Sequence, residues 1–469
     1  MTKSIAVIGA GPGGYEAAIR GAQLGANIYL IEKDKIGGTC LNRGCIPTKT
    51  YFRNAEVMNS LKRAKEFGIT VDNYQLDGKA MKERKDNVVN KLVKGIEQLI
   101  SSYKNIELIK GVATLKDKNT VLVELEDGGT REIKVDHIVI ATGSKVTMTE
   151  TKGVDQEGVL TSDDILELEE IPESLIVIGG GVISLEFASI YQELGSKVTL
   201  LASRILKNVD MEITRRLPLF FKKHGMEVYV DVRAKEIVKE GDKLKVIARY
   251  KNKDKEIEVI ADKVLIASGR GPVTEGLNLD KLGIEYSEKE GIKVDENFET
   301  TVEGIYAIGD VNNLGLQLAH AASNQGIYVM ERIMGLEPDI NFDIIPNCVF
   351  SFPEVAYVGL TEEALKEKGI EYNTSKFLFV ANGKALSLGE EDGFVKVFST
   401  KDNKKILGIT IVGPHANDLI HEGALAMANG LGVEAISRTI HAHPTLSEAF
   451  MEAVHGLEGK AIHIAPRRR

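Results

Sequence analysis

The stretch "SIAVIGAGPGGYEAA" (residues 4–18) decides the fold of the first part of the chain. An apolar strand pattern runs into Gly9, Gly11 and Gly14, and a helical pattern follows. Glycines at this spacing allow a tight turn, close approach to a pyrophosphate and close helix packing, with the phosphates at the helix N-terminus. The next strand, "ANIYLIE", ends in Glu32, which is either an acceptor for ribose hydroxyls or a surface acid at a strand end. We therefore predict a dinucleotide-binding α/β unit here.

The same unit recurs in "SLIVIGGGVISLEFASIYQELGSKVTLLA" (residues 174–202). Gly179 and Gly181 correspond to the first two glycines of the first turn, and Ser184 replaces the third. A chain that carries this unit twice is predicted to bind two dinucleotides.

The second unit lacks the acid that ends the second strand of the first. The offset that reaches Glu32 in the first unit reaches Ala202 here, and Ser203 and Arg204 follow. A cation in place of the acid suits a 2′-phosphate better than a free 2′-hydroxyl. The alternative is an arginine on a solvated loop. We predict that the second nucleotide is NAD or NADP, with competence for NADP.

Three further stretches read as buried strands that end near glycine. They are "DHIVIATGS" (136–144), "DKVLIASGRGP" (262–272) and "TTVEGIYAIGDV" (300–311). Asp310 stands at the carboxyl end of the last strand, where ligands gather in open α/β sheets. It is predicted either to bind the sugar-alcohol hydroxyls of a flavin or to cap a helix.

Length and charge restrict the possible classes of protein. A chain of 469 residues is too long for one ordinary core, which predicts about three domains. The net charge of −9 argues against a nucleic-acid partner. No apolar run approaches the roughly 18 residues that span a bilayer, and the N-terminus lacks the features of a signal peptide. From the missing apolar run we predict that the protein does not insert into a membrane. Because three cysteines cannot form an all-disulfide framework, we predict that it resides in a reducing cytoplasm.

Two of the three cysteines lie close together in "GGTCLNRGCIPTK" (37–49). A close pair in a reducing compartment is metal-binding or redox-active more often than structural. A structural zinc site needs four ligands, and Cys348 has no ligand-type neighbour at suitable spacing. We therefore predict no metal site, and we predict that Cys348 is a buried small hydrophobe.

The sequence pattern changes after Pro346. "GFVKVFSTKDNKKILGITIVG" alternates as sheet strands do, and two later stretches have helical apolar spacing. No glycine-rich nucleotide turn occurs in this part of the sequence. A sheet with helices outside either dinucleotide unit is predicted to be a dimerisation domain.

Together these features resemble the flavin-dependent pyridine nucleotide-disulfide oxidoreductase family. The resemblance covers essentially the whole chain. Its landmarks are "GAGPGG", "GGTCLNRGCIPTK", "ATGS", "GGGVISLE", "YAIGD", "PEVAYVG", "ANGKALSLGEEDGFVK", "GPHANDLIHE" and "HAHPTLSEAF". The last three favour the branch that oxidises dihydrolipoamide over its relatives.

The resemblance implies a fold class and a division of the chain. The class is α/β, with two Rossmann-like dinucleotide-binding domains, one for FAD and one for NAD(P), and a C-terminal α+β dimerisation domain. The implied divisions are the first part of the FAD domain (1–147), the NAD(P) domain (148–272), the second part of the FAD or central domain (273–345) and the dimerisation domain (346–469).

The resemblance also implies that the cysteine pair opens and closes during turnover. Cys40 is implied to be the exposed thiol that exchanges with substrate sulfur, and Cys45 the thiol beside the flavin. Cys45 precedes a proline suited to a first helical turn, and amide donors at a helix N-terminus favour a thiolate. In the family a lysine near the flavin pairs with a glutamate; these correspond to Lys49 and Glu186, which would otherwise be solvated helix residues.

The motif "HAHPTLSE" is implied to supply the base. A thiol pKa near 8.5 leaves few thiolates at neutral pH, and a histidine oriented by a carboxylate accepts the proton. The resemblance assigns His443 as the base and Glu448 as its orienting group, with His441 as the rival histidine. In the family this histidine reaches the cysteines of the other subunit, which implies a homodimer.

The predicted cofactor-binding residues are spread over both units. They are Gly9, Gly11, Gly14, Glu32, Gly38, Thr39, Thr142, Gly143, Asp310, Ala319, Gly179, Gly181, Ala202, Ser203, Arg204 and Gly269.

The implied function is oxidation of dihydrolipoamide, with electrons passing through the cysteine pair and FAD to NAD or NADP. The implied partners are lipoyl domains of 2-oxoacid dehydrogenase or glycine-cleavage complexes. The alternatives are a mercuric-reductase or glutathione-reductase type of enzyme and a catalytically silent scaffold of such a complex. A mercuric reductase needs a later cysteine pair, and no cysteine follows Cys348. The terminal "APRRR" is predicted to be disordered.

Overall fold

The computed structural model describes residues 2–465. Its strands, in chain order, are β1 (Ser4–Ile8), β2 (Asn27–Glu32), β3 (Ile106–Asp117), β4 (Thr120–Leu125), β5 (Thr130–Lys134), β6 (His137–Ile140), β7 (Ser144–Val146), β8 (Val159–Leu160), β9 (Ser174–Ile178), β10 (Lys197–Ala202), β11 (Glu227–Val230), β12 (Val232–Glu240), β13 (Lys243–Tyr250), β14 (Glu256–Ala261), β15 (Lys263–Ile266), β16 (Arg270–Pro272), β17 (Tyr286–Ser287), β18 (Gly291–Ile292), β19 (Ile305–Ala307), β20 (Asn347–Val349), β21 (Glu354–Gly359), β22 (Tyr372–Leu378), β23 (Phe394–Thr400) and β24 (Ile406–Gly413). Its helices are α1 (Pro12–Gln23), α2 (Gly38–Arg43), α3 (Cys45–Lys62), α4 (Gly78–Ser101), α5 (Val182–Leu194), α6 (Met211–Lys223), α7 (Leu279–Leu282), α8 (Ala319–Ile333), α9 (Glu362–Glu367), α10 (Gly383–Leu388), α11 (Ala416–Ala428), α12 (Val433–Ser437) and α13 (Ser447–Leu457). The expectation of disorder at residues 465–469 falls outside the described residues from residue 466 onward.

The first glycine-rich turn belongs to a seven-stranded sheet with the order β19-β6-β1-β2-β3-β4-β5. The strands from β19 to β3 are parallel, with Ser4 beside Asn27 and Ile5 beside His137. β4 and β5 continue the sheet in antiparallel fashion. Parallel strands covered by helices are apolar along their whole length rather than alternating, and β1 is buried from its second residue onward. The glycine-rich turn lies at the carboxyl edge of the sheet because it directly follows the last residue of β1.

The second glycine-rich turn belongs to a five-stranded parallel sheet with the order β11-β10-β9-β15-β8. β9 leads into α5 as β1 leads into α1. Between β11 and β15 the chain forms an antiparallel sheet of β12, β13 and β14. After β15 the chain returns to the first sheet, where β19 pairs with β6.

The strands predicted after Pro346 form a five-stranded antiparallel sheet with the order β20-β21-β24-β23-β22. Both of its faces are covered. Phe394 and Val412 pack into the core that contains α3 and α5, whereas Val395 and Ile411 pack with α11 and α13. Neighbouring residues therefore alternate between two cores, not between a core and solvent.

Lys396 of β23 is buried, although a strand that alternated between core and solvent would place this charged side chain in water. Its ammonium donates to Asp210 at 2.9 Å and to Glu362 at 2.8 Å. A buried charge is tolerated when it is paired in this way. The pairing ties this sheet to the segment that precedes α6.

The predicted fold class is confirmed, because two parallel sheets with glycine-rich turns precede an antiparallel sheet covered by helices. The divisions at residues 147, 272 and 345 stay a prediction. Within residues 2–465, no helix combines the length and the apolar character needed to cross a membrane.

Candidate functional site

The first glycine-rich turn joins β1 to α1 and has no room for side chains at two of its glycines. Gly9 has a φ of +102°, and a Cβ there would lie 2.4 Å from the carbonyl oxygen of Ala141. A Cβ on Gly14 would lie 1.8 Å from the carbonyl oxygen of Gly9. Around Gly11, by contrast, no described residue comes within 4 Å of a Cβ position. The turn is therefore closed toward the protein and open on the side from which a ligand would approach.

Glu32, at the end of β2, is buried and is not a surface acid. Its carboxylate oxygens accept from the backbone N–H of Ala10 at 2.6 Å and from that of Asp34 at 2.8 Å. These bonds fasten the end of β2 to the glycine-rich turn. Each carboxylate oxygen has two lone pairs, so Glu32 keeps acceptor capacity for ribose hydroxyls.

The second turn, between β9 and α5, has the same backbone form with a serine in the third position. Gly179 has a φ of +143°, and a Cβ there would lie 2.3 Å from the carbonyl oxygen of Ala267. The Ser184 hydroxyl donates to the carbonyl oxygen of Gly181 at 2.8 Å. The serine side chain is therefore turned back onto its own helix, which lets it stand where the first turn needs glycine.

The residues after β10 fold back over this second turn. The backbone N–H of Leu206 donates to the carbonyl oxygen of Gly180 at 2.7 Å. Ala202 is buried, Ser203 is half-buried and Arg204 is exposed. The structure therefore brings all three predicted specificity residues to the second turn, with a cation and no acid at this strand end.

Both turns fit the diphosphate of a dinucleotide. Gly11 and Gly181 precede α1 and α5, which have neither a side-chain N-cap hydrogen bond nor an acid in the first turn. Free backbone N–H groups and the helix dipole favour an anion at such a terminus. A Cβ on Gly38, at the start of α2, would lie 2.8 Å from the Cα of Gly11, so α2 closes against the first turn. The residues present thus fit FAD at one turn and NAD(P) at the other.

Asp310 bonds to a side chain and does not cap a helix. Its carboxylate accepts from the Ser144 hydroxyl at 2.6 Å, and Nε of Arg270 donates to the same hydroxyl oxygen at 2.8 Å. Burial raises the pKa of Asp310, and the Ser144 hydrogen bond and the Arg270 charge oppose that rise. A second nitrogen of Arg270 lies 3.5 Å from the hydroxyl of Thr39. This network links three segments of the predicted flavin site.

Sequence analysis did not name Arg270 or Ser144. A signal for Arg270 was present, since a charged residue directly follows a glycine at the end of a buried strand.

The remaining predicted cofactor residues stand at strand ends and at one helix start. The Thr142 hydroxyl donates to the carbonyl oxygen of Val273 at 2.6 Å. Gly143 and Gly269 have φ values of +70° and +152°, in the region that favours glycine. Ala319 is the first residue of α8.

The two cysteines lie in consecutive helices, with Cys40 in α2 and Cys45 at the start of α3. The hydrogen bond from the Cys40 thiol lowers the pKa of Cys45, burial raises it, and the charge of Lys49 lowers it further. The pKa of Cys40 is raised by the same hydrogen bond and by burial. Cys40 is half-buried, not exposed as predicted, because α2 packs against α3. The pair therefore favours a single thiolate, on Cys45, which accepts a hydrogen bond from the Cys40 thiol.

Lys49 lies one turn after Cys45 and forms an ion pair with Glu186 of α5. Its ammonium is 2.9 Å from both carboxylate oxygens. Burial lowers the pKa of Lys49, but the charge and hydrogen bonds of Glu186 outweigh burial and the pKa is raised. The backbone N–H of Phe350 donates to Glu186 at 3.1 Å, and the Lys49 ammonium lies 4.5 Å from the centre of the Phe350 ring. Sequence analysis had no signal for Phe350, which only tertiary packing brings here.

Cys348 was predicted to be buried and is half-buried. Its sulfur lies 3.9 Å from the carbonyl oxygen of Asn417. Burial raises the pKa of this thiol to about 11. Cys348 therefore stays protonated at neutral pH.

The two histidines of "HAHPTLSE" have different surroundings. Nδ1 of His443 lies 2.9 Å from Glu448, and the side chain of His443 is 78% exposed. Nε2 of His441 lies 2.7 Å from Glu422, and the side chain of His441 is only 5% exposed. His443 is therefore oriented by one nitrogen and free to present the other, whereas His441 is held inside the fold.

Glu448 is itself held in place at the start of α13. Burial raises the pKa of Glu448. The hydrogen bond from the backbone N–H of Thr445, at 2.8 Å, and the contact with His443 outweigh burial, so the pKa is lowered. The carboxylate therefore stays ionised behind the imidazole.

Among residues 2–465, His443 pairs with Glu448 and forms no hydrogen bond or ion pair with the cysteines of its own chain. The charge of Lys49 acts on both thiols, and that of Glu186 acts on Cys45. The structure thus brings Lys49 and Glu186 to the cysteine pair without a contact from the His443–Glu448 pair.

Two family models match the chain. The model described as "Pyridine nucleotide-disulphide oxidoreductase" matches residues 3–326, and the model of the dimerisation domain of that family matches residues 345–454.

Similar proteins extend over almost the whole chain. Dihydrolipoyl dehydrogenase of Bacillus subtilis is 40% identical over 473 residues, which cover 98% of this chain and 98% of that protein. The mitochondrial dihydrolipoyl dehydrogenase of Pisum sativum is 39% identical over 464 residues, covering 98% of this chain and 92% of that protein. The crystal structure of LpdA from Mycobacterium tuberculosis superposes with a TM-score of 0.89 at 28% identity, covering 97% of this chain and 100% of that chain.

These matches agree with the two nucleotide turns, the close cysteine pair and the separate C-terminal sheet. The use of FAD and NAD(P) follows from the family. The chain belongs to the pyridine nucleotide-disulphide oxidoreductase family and is an FAD-dependent oxidoreductase.

Proposed function

We propose that this enzyme is a dihydrolipoyl dehydrogenase that oxidises protein-bound dihydrolipoamide through Cys40 and Cys45. The observation that carries the proposal is the Cys45 thiolate site, stabilised by the Cys40 hydrogen bond and by the charge of Lys49, which Glu186 keeps ionised. Relatives named dihydrolipoyl dehydrogenase, about 40% identical over nearly the full length, support this substrate over glutathione or a metal ion.

The chemistry is an exchange between two dithiol–disulfide pairs. A thiolate of dihydrolipoamide attacks the sulfur of Cys40, the Cys40–Cys45 bond breaks, and Cys45 leaves as a thiolate. The second substrate thiolate then attacks its own sulfur in the mixed disulfide and releases Cys40. Lys49 stabilises the charge on Cys45 as soon as Cys45 leaves, and the Cys40 thiol adds its hydrogen bond once Cys40 has been released and protonated. The products are the lipoamide disulfide and the reduced cysteine pair.

His443 moves the protons of this exchange. Its free nitrogen takes a proton from the substrate thiol, while Glu448 stabilises the imidazolium that forms. FAD bound at the first turn would supply a two-electron carrier between the reduced cysteine pair and the nicotinamide. Glu32, Asp310 and the N-terminus of α1 would hold it there.

A homodimer would complete the site. His443 is exposed and makes no hydrogen bond to the thiols of its own chain among residues 2–465, and Ile440, three residues earlier, is 96% exposed. Leu425 of α11, in the same domain, is 64% exposed. A partner subunit that covered these two side chains would remove their apolar surface from water. We expect His443 of the partner subunit to serve Cys40 and Cys45.

The natural partners would be lipoyl domains of a 2-oxoacid dehydrogenase or glycine-cleavage complex. The proposed compartment is a reducing cytoplasm, in which a cycling cysteine pair is not locked as a structural disulfide.

The test is a steady-state assay of the FAD-loaded protein with dihydrolipoamide and either NAD or NADP. Oxidised glutathione with NADPH serves as the parallel substrate pair. We expect turnover with dihydrolipoamide and negligible turnover with glutathione. Faster turnover of glutathione would overturn the proposal, and a yellow protein inactive with both would favour the scaffold alternative.

A further inference from the structure

A basic cleft lies beside the second nucleotide turn and has no role in the chemistry described so far. Five cationic side chains from β12, β13 and the connection to β14 line a cavity of about 720 Å³. We call it the basic cleft; its cations are Arg233, Lys235, Arg249, Lys251 and Lys253.

The cleft retains an excess of positive charge. Arg233 stands directly opposite Arg249 in the pairing of β12 with β13, and like charges in that position destabilise a sheet. Asp254 pairs with Arg249. Among residues 2–465, the other four cations have no carboxylate partner within salt-bridge distance. Such an arrangement is typical of a surface that binds an anion.

Lys251 connects the basic cleft to the loop after β10. Its ammonium donates to the carbonyl oxygen of Ser203 at 3.1 Å. The next residue, Arg204, is exposed, and its carbonyl oxygen would lie 1.9 Å from a Cβ on Gly180 in the second turn. Two cations from distant parts of the chain thus stand at the strand end where Ala202 replaces the ribose-binding acid.

We propose that Lys251 is the second cation of a subsite for the 2′-phosphate of NADP, formed with Ser203 and Arg204. This rests on the proposed use of NADP at the second turn. A phosphate monoester carries about −1.5 to −2 charges at pH 7, which two cations match and one does not. The Ser203 carbonyl already holds the Lys251 ammonium in place, so little side-chain freedom is lost on binding. A free 2′-hydroxyl could accept a hydrogen bond from Lys251 but would lack the attraction between opposite charges.

The test measures nucleotide binding directly and does not depend on lipoamide turnover. Dissociation constants of 2′,5′-ADP and 5′-AMP are measured by calorimetry on the FAD-loaded protein. The proteins are wild type, Lys251→Ala, Lys251→Arg, Arg204→Ala and the control Lys253→Ala, which also alters the basic cleft. We expect wild type to bind 2′,5′-ADP about tenfold or more tightly than 5′-AMP.

Lys251→Ala should weaken 2′,5′-ADP by about tenfold and leave 5′-AMP within about twofold. Lys251→Arg should keep most of the preference, which separates loss of charge from a damaged loop. Lys253→Ala should behave as wild type. An unchanged preference in Lys251→Ala, or an equal loss in Lys253→Ala, overturns the role of Lys251.

The other outcomes separate this inference from the proposals on which it rests. Equal binding of both probes by wild type overturns NADP use together with the subsite. A strong preference for 2′,5′-ADP without dihydrolipoamide oxidation overturns the proposed substrate only. If the cleft variants change binding of a lipoyl domain and not of 2′,5′-ADP, the basic cleft is a protein-docking surface and the subsite is refuted.

Discussion

The ammonium of Lys49 lies 2.9 Å from both carboxylate oxygens of Glu186, although 137 positions separate the two residues in the chain. The pair joins α3, which begins at Cys45, to α5, which begins at the second nucleotide turn. It places a positive charge beside the thiolate site and keeps the lysine ionised, because Glu186 raises the pKa of Lys49 against burial. Packing between the two helices therefore sets the charge at the cysteine pair.

The first prediction concerns that charge. Lys49→Met should raise the pKa of Cys45 by about one unit, because it removes a neighbouring cation that stabilises the thiolate. The measurement is the pH dependence of alkylation of Cys45 by iodoacetamide in the reduced, FAD-loaded protein, with mass spectrometry identifying the modified cysteine. Lys62→Met is the matched control, since Lys62 is also in α3 but pairs with Glu193. An identical profile for Lys49→Met and wild type would show that Lys49 does not act on the thiol.

The second prediction separates the two histidines. His443→Gln should lower kcat with dihydrolipoamide by about 10², the usual range for loss of a general base. Glu448→Gln should cost less, because it removes only the orientation and charge support of the imidazole. His441→Gln should act mainly on stability, since His441 is buried in its pair with Glu422. The assignment is wrong if His441→Gln lowers kcat more than His443→Gln does.

The third prediction concerns sharing of the site between subunits. His443→Gln and Cys45→Ser proteins, each inactive alone, are denatured together and refolded with FAD. If His443 serves the partner, hybrid dimers have one complete site, and random mixing of a two-fold symmetric dimer should restore about a quarter of wild-type activity. A site within one chain would leave every hybrid inactive. Refolding of each variant by itself is the control.

The fourth prediction concerns Glu354, whose pKa burial raises to about 7. Between its ordinary pKa of 4.5 and about 7, the folded chain holds a proton that the unfolded chain has released. The free energy of unfolding therefore decreases as pH rises through this window, by at most about 3 kcal/mol. Glu354→Gln keeps an acceptor for the backbone N–H of Asn417 and should remove this contribution.

The measurement for Glu354 is the urea midpoint of the FAD-loaded protein at fixed concentration, from pH 5 to pH 8. The advantage of Glu354→Gln over wild type should grow with pH across that range. Glu371→Gln, which changes an exposed carboxylate of the same domain, is the control and should follow wild type. A constant difference between Glu354→Gln and wild type would contradict the raised pKa.

Much of the nucleotide sites could be predicted from the sequence, because their constraints act between residues close in the chain. The need for glycine at Gly14 arises from the carbonyl of Gly9, five positions earlier. The start of α3 at Cys45 likewise follows from the proline that comes shortly after it. The loss of an acid at Ala202 was visible because the two units could be compared position by position.

Other features of the site could not be predicted, because no local rule determines which distant elements pack together. Arg270 reaches Ser144 across 126 positions, and Lys251 reaches the Ser203 carbonyl only because β13 ends beside the loop after β10. Cys40 is half-buried because α2 packs on α3, which its motif did not indicate.

The sequence by itself determined the strand–glycine–helix units, the cysteine pair and the histidine–carboxylate motif, because steric clash, helix capping and residue chemistry operate within a few residues. Only the tertiary structure decided that His443 is presented to solvent while His441 is buried against Glu422. It also decided that Glu186 pairs with Lys49 beside Cys45 and that Lys251 bonds to the carbonyl of Ser203, next to Arg204. Burial and long-range electrostatics depend on packing between segments that are far apart in the chain. They therefore determine which of two chemically identical side chains is free to react.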